Sequence, residues 1–181
     1  MKSVILLGYM CSGKTTVGKA LATKLGCKFY DLDWYIELRF RKKIPEIFKE
    51  KGEEGFRVLE HKMLEEVANF ENVVLACGGG TPCFYDNMEL MNKCSTTIYL
   101  DASVDVLMKH IEISRVERPL LKGKTGEELR NYISEQLNQR KPYYNKAQYA
   151  IDIEFLDNFE KIDLLVNRII DMLNLKTDNT R

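Results

Sequence analysis

Only two histidines, His61 and His110, occur among the 181 residues, which excludes a two- or three-histidine metal centre with any spare imidazole. Both fall in helix-like segments and are read as structural. The five cysteines, Cys11, Cys27, Cys77, Cys83 and Cys94, include no C-x-x-C pair and are odd in number. A disulfide framework and a structural zinc site are therefore not expected. Charge of one sign is also missing: 27 Lys and Arg balance 27 Asp and Glu. Without a basic excess, a general nucleic-acid binder is disfavoured. No long apolar run is present either. The longest charge-free stretch, residues 72–85, is interrupted by Gly78, Gly79, Gly80 and Pro82. A membrane span needs ~20 apolar residues. The apolar run at the N-terminus is too short for a signal peptide. These features point to a soluble, reducing, cytoplasmic setting, with no membrane or nucleic-acid partner.

What is present is a hydrophobic fraction of 45%, enough for one core in a chain of this size. Monomer is the expectation, because the apolar stripes are accounted for by that core. Residues 1–175 read as a single domain and 176–181 as a polar tail.

Short apolar runs alternate with helical patterns. Residues 4–7, 28–30, 73–77, 97–100 and 149–153 read as strands. Helical texture covers residues 14–25, with Val17, Leu21 and Leu25 on one stripe and Gly26 as the stop signal. It returns from 31 to 51, with a break or helix start at Pro45, and from 56 to 70. Ser103 caps a further helix, Thr125-x-x-Glu128 reads as a capping box, and Asp157-x-x-Glu160 opens the last helix. Strands separated by helices imply a parallel α/β sheet covered on both faces. Ligands then bind beyond the carboxyl ends of the strands.

The first strand is followed by Gly8-Tyr9-Met10-Cys11-Ser12-Gly13-Lys14-Thr15. This is G-x-x-x-x-G-K-[ST], the P-loop, in its proper strand–loop–helix setting. Its backbone N–H groups cradle phosphates, Lys14 reaches the β- and γ-phosphates, and Thr15 binds Mg²⁺. Cys11, Ser12, Gly13, Lys14, Thr15 and Thr16 are the candidate ATP-binding residues. A chance match in one chain falls well under ~1%.

Asp31-Leu32-Asp33 follows the second strand. Alternation in an extended segment would place both carboxylates on one side. One can serve the metal, the other can orient a substrate hydroxyl and accept its proton. Helix capping is the structural alternative. Gly78-Gly79-Gly80 follows the third strand and suits close approach of a ligand to the backbone. Cys77 stands where P-loop hydrolases carry a Walker B aspartate, which disfavours a motor or switch ATPase. Arg57, Arg118 and Arg140 are the arginines with motif context; the run Arg39 to Lys43 reads as a solvated helix face.

Together these motifs resemble shikimate kinases, within the nucleoside-monophosphate-kinase-like P-loop enzymes. The resemblance rests on the P-loop, Asp31-Leu32-Asp33, Gly55-Phe56-Arg57, Gly78-Gly79-Gly80, Arg118-Pro119-Leu120-Leu121 and Arg140-x-Pro142-x-Tyr144, in this order. It implies a three-layer α/β/α P-loop kinase fold with a five-stranded sheet of order 2-3-1-4-5. A helical substrate-binding segment at about 32–60 and a mobile lid at about 112–125 belong to it. The implied reaction is ATP- and Mg²⁺-dependent phosphorylation of shikimate at its 3-hydroxyl. Asp33 would be the base, Arg57 and Arg140 would bind the carboxylate, and Gly79 would offer backbone contact. Asp31 would act on Mg²⁺, and Arg118 would bind ATP and neutralise the transferring phosphoryl group. Cys11 departs from the family's usual glycine, and Arg115 is a weak candidate for contact with adenine. The remaining acids, as in residues 50–66, are expected to lie away from the site. A kinase for gluconate or another small polyol, and a non-catalytic nucleotide-binding regulator, stay open as alternatives.

Overall fold

Val4–Leu7 (β1) is buried at every position, which is the signature of a strand covered on both faces. In the computed structural model, which describes residues 3–114, 121 and 123–174, β1 is the central strand. It is flanked in parallel by Val73–Ala76 (β3) and Thr96–Ala102 (β4). Lys28–Asp31 (β2) pairs outside β3, and Tyr149–Ile153 (β5) outside β4. The sheet order is therefore 2-3-1-4-5, all parallel, as the resemblance implied. The order reverses between β1 and its neighbours. That switch point opens a crevice at the carboxyl edge, where the loops after β1, β2 and β3 meet.

The helices pack on this sheet through apolar stripes. Lys14–Leu25 (α1) buries Val17, Leu21 and Leu25 and ends on Gly26 at φ 63°, as its sequence predicts. The helical texture expected over 31–51, with a break or helix start at Pro45, is two helices, Leu32–Phe40 (α2) and Ile44–Ala68 (α3). The break falls at Arg41, in a left-handed conformation at φ 52°, and Pro45 sits in the first turn of α3, where its missing N–H is harmless. The run Arg39 to Lys43 thus crosses a helix end rather than lining one face. Its cations tie α2 to α3 through Arg39–Glu66, Lys42–Glu50 and Lys43–Glu37.

Asn87–Cys94 (α4) was not expected from the sequence; it is short, and Asp86 at its N-cap makes no side-chain cap. Val104–Ile113 (α5) begins at Ser103, whose hydroxyl accepts the Val106 N–H as anticipated. Gly126–Tyr144 (α6) does start after Thr125, but the Thr125 side chain makes no capping bond. In Phe159–Met172 (α7) the cap is Asn158, one residue later than expected; its carboxamide accepts the Lys161 N–H, while Asp157 pairs with the Lys161 ammonium. α7 buries Leu165, Val166, Ile169 and Ile170. Each such side chain contributes about 1.5–3 kcal/mol relative to exposure. Among the described residues no helix is long and apolar enough to cross a membrane. Half of the expected lid, residues 115–120 and 122, lies outside the described residues, and with it Arg115 and Arg118; the polar tail lies outside them too.

Candidate active site

The turn from β1 into α1 wraps a cavity of about 340 Å³. Its wall includes Cys11, Gly13, Lys14, Thr15 and Thr16 from the loop, Asp31 and Asp33 from the second strand's end, and Gly78 and Gly79 from the third. Gly8 and Gly13 carry φ of 144° and 89°, values that a side chain would strain. Cys11 carries φ 64° despite its side chain. Lys14 curls back in this state: its ammonium donates to the carbonyls of Gly8 at 2.9 Å and Tyr9 at 2.8 Å. Ser12 differs from its neighbours. It is fully buried, its hydroxyl has no hydrogen-bond partner among the described residues, and its N–H donates to the Tyr9 carbonyl at 3.2 Å.

Asp31 and Asp33 do not share an extended segment. β2 ends at Asp31 and the helix starts at Leu32, so Asp33 lies in the first turn of α2. The two carboxylates still reach the same cavity, and Asp31 makes the helix cap that was its structural alternative. One oxygen caps α2, accepting from the N–H groups of Asp33 at 3.1 Å and Trp34 at 3.3 Å. The other accepts the Thr15 hydroxyl at 2.9 Å. Asp33 is held in a crowded anionic corner. Burial first, then the neighbouring Asp31 and Glu60 carboxylates, push its pKa from 3.8 up to about 6, against the opposing pull of Lys14 and Arg57.

The glycine triplet is the meeting point. A methyl built on Gly78 would stand 2.9 Å from Asp33 Oδ1 and 3.2 Å from Glu60 Oε1. One on Gly79 would stand 3.6 Å from Arg140 Nη1, and one on Gly80 only 2.8 Å from Arg57 Nη2. Asp33, Arg57 and Arg140 therefore surround one short backbone segment from three elements.

Arg57 is not at a helix start, as its sequence context suggested, but within α3, five residues past a kink at Gly52 (φ 67°, ψ −177°). Its guanidinium lies over the Phe84 ring at 4.1 Å and bonds Glu60 at 2.7 Å. Its Nε is buried and without a partner among the described residues. Arg140, on the last turns of α6, is held by the Gln136 carboxamide at 3.1 Å and lies 5.4 Å from the Tyr9 ring.

Three contributors escaped sequence reasoning. Glu60, assigned with the acids lying elsewhere, is 1% exposed and holds both Arg57 and the Thr81 hydroxyl, the latter at 2.6 Å. Its i, i+3 spacing from Arg57 was the available signal. Tyr144 donates its buried hydroxyl to the Gly79 carbonyl at 2.5 Å, fixing the triplet. His110 lines the cavity and bonds the Cys11 carbonyl at 2.8 Å.

A phosphate loop at the switch point, a hydroxyl and carboxylate suited to a hard cation, and a carboxylate facing two arginines define a P-loop phosphotransferase. Comparison narrows the class. The shikimate kinase family model matches residues 10–174. A shikimate kinase of Parabacteroides distasonis is 54% identical over 85% of this chain and 89% of its own. The crystal structure of shikimate kinase from Bacteroides thetaiotaomicron, 49% identical, covers 96% of this chain and 99% of its own with a TM-score of 0.93. That of Acinetobacter baumannii shikimate kinase in complex with shikimate is 32% identical, covering 97% and 95%, with a TM-score of 0.83. The chain belongs to the shikimate kinase family.

Proposed function

We propose that this chain transfers the γ-phosphoryl group of ATP to the 3-hydroxyl of shikimate, giving shikimate 3-phosphate and ADP on the route to chorismate and the aromatic amino acids. The observation that carries the reading is the convergence of Asp33, Arg57 and Arg140 on Gly78–Gly80 beside the phosphate loop. A substrate with one carboxylate and several hydroxyls matches that set. The paired guanidinium forks suit the carboxylate. With the Gly79 carbonyl taken by Tyr144, the backbone contact to a ring hydroxyl falls to its N–H.

Asp33 takes the proton of the attacking hydroxyl. Its raised pKa, near 6, leaves it ionised at neutral pH and closer to the operating pH than an ordinary aspartate. Lys14 exchanges its two loop carbonyls for the β- and γ-phosphates, and the N–H groups of residues 11–16 with the α1 dipole hold the remaining phosphate charge. Thr15 Oγ1 and Asp31 Oδ2, 2.9 Å apart, are hard oxygen donors that fit Mg²⁺. When bound there, the ion would neutralise part of the phosphate charge. Arg118, outside the described residues, is assigned by family resemblance to the transferring phosphoryl group, and lid closure to the exclusion of water.

The test is a coupled ADP-release assay with shikimate, quinate, gluconate and nucleoside monophosphates offered in turn. Turnover dependent on shikimate is expected. Its absence overturns the reading, and turnover with gluconate alone would transfer the site to a polyol kinase.

A further inference from the structure

His110 joins two segments that are distant in sequence and adjacent at the cavity. Its Nδ1 lies 2.8 Å from the Cys11 carbonyl oxygen, in the phosphate loop. Its Nε2 accepts the N–H of Leu156, in the loop between β5 and α7, at 2.9 Å. A carbonyl can only accept and an amide N–H can only donate. The imidazole therefore carries its proton on Nδ1 and its lone pair on Nε2. The ring is 7% exposed, and the Phe155 ring stands 5.3 Å away, so both its position and its tautomer are set.

Each bond controls part of the cavity wall. The Cys11 carbonyl shares a peptide plane with the Ser12 N–H, which donates to the Tyr9 carbonyl at 3.2 Å, so the bond to His110 holds one side of this loop peptide and the turn to Tyr9 the other. This matters at Cys11 in particular. A non-glycine residue at φ 64° sits in a shallow left-handed well and tends to leave it unless its neighbours hold it. On the other side, the bond to Leu156 keeps that side chain against the loop: a methyl built on Gly13 would lie 3.0 Å from Leu156 Cδ1. Both Leu156 and His110 line the same cavity as Lys14 and Thr15.

We propose that His110 is a positioning residue for the nucleotide, coupling the phosphate loop to the wall formed by Leu156 through its Nδ1–H tautomer. The inference rests on the ATP-dependent reading of the site. It predicts a selective effect, because Asp33, Arg57 and Arg140 take no bond from the imidazole.

The experiment compares His110→Phe and His110→Asn with the wild type in steady-state assays varying ATP and shikimate separately. His110→Phe should raise the KM for ATP about tenfold, with kcat and the KM for shikimate within about twofold, a scale set by the loss of two partly buried hydrogen bonds. His110→Asn, which can still donate to the Cys11 carbonyl, should recover part of the loss. An unchanged KM for ATP in a folded His110→Phe enzyme overturns the proposal, as does an equal loss toward both substrates. An inactive wild type would instead count against the ATP-dependent reading itself.

Should His110→Phe fail to fold, ¹⁵N spectra of the wild type decide. With only two histidines in the chain, the His110 resonances are assigned by difference from a His61 variant. The Nδ1–H tautomer, with shifts that move on addition of ADP, supports the proposal. The opposite tautomer, or shifts indifferent to ADP, overturns it.

Discussion

Replacing Asp33 by asparagine should make the protein more stable and much less active, and the two effects have one origin. The carboxylate is inserted between Asp31 and Glu60, and folding lifts its pKa from 3.8 to about 6. The ionised form therefore works against folding. The stability associated with the protonated form is complete below about pH 4 and is lost as pH rises through about 6. A shift of about two units corresponds to about 2–3 kcal/mol at pH 8, which asparagine, nearly the same shape and uncharged, would restore. For a chain of this length that is a rise in Tm of roughly 4–12 °C. Thermal unfolding followed by circular dichroism at pH 8 and pH 4, without nucleotide, measures it: a clear gain at pH 8 and little difference at pH 4. In the coupled assay the same variant should lose at least ~10²-fold in turnover, a general-base effect, with nucleotide affinity kept. Wild-type kcat/KM for shikimate should fall as pH drops through about 6. A variant no more stable than wild type at pH 8 would refute the electrostatic account, and one with full turnover would remove Asp33 from the chemistry.

Arg57→Lys should raise the KM for shikimate by about tenfold or more, because an ammonium cannot keep both the Glu60 bond and a forked contact to a carboxylate; a defect confined to ATP would contradict the assignment. Gly80→Ala places a methyl 2.8–3.1 Å from the Arg57 guanidinium, so it should also weaken shikimate binding while leaving the KM for ATP unchanged within about twofold. Equal weakening toward both substrates would show that the triplet does more than seat Arg57. Cys11→Gly removes the left-handed strain at φ 64°, a gain offset in part by glycine's entropy in the unfolded chain. The expected net is between no change and about 1 kcal/mol of added stability with activity retained, read from denaturant unfolding; a marked loss would mean that the thiol packs usefully.

The phosphate loop was legible because its chemistry is local: glycines, lysine and threonine fall within eight residues, and the apolar run before them and the apolar stripe after them read as strand and helix. Asp31 was legible as a residue of interest but not as one residue with two roles, because its capping bonds and its bond to Thr15 require the β2–α2 junction to be built. Glu60 was misread for a related reason. It stands in a helix crowded with acids, several of them exposed, and its i, i+3 spacing from Arg57 is not distinctive, because Glu53 also stands within a turn of that arginine. α4 gave too weak a signal because it is eight residues long and lacks a side-chain cap.

What the sequence determined by itself was the set of parts: a phosphate loop, a pair of aspartates, a glycine triplet and three arginines in motif context, on an alternating α/β chain. These depend on interactions within a few residues, so local order suffices to read them. Only the tertiary structure decided that Asp33, Arg57 and Arg140 face one another across Gly78–Gly80, that Glu60 seats Arg57, and that His110 holds the phosphate loop. Apart from the Glu60–Arg57 pair, which shares α3 but depends on that face turning inward, those relations join residues on different elements, and the parallel sheet order that brings their ends together is set by packing over the whole core.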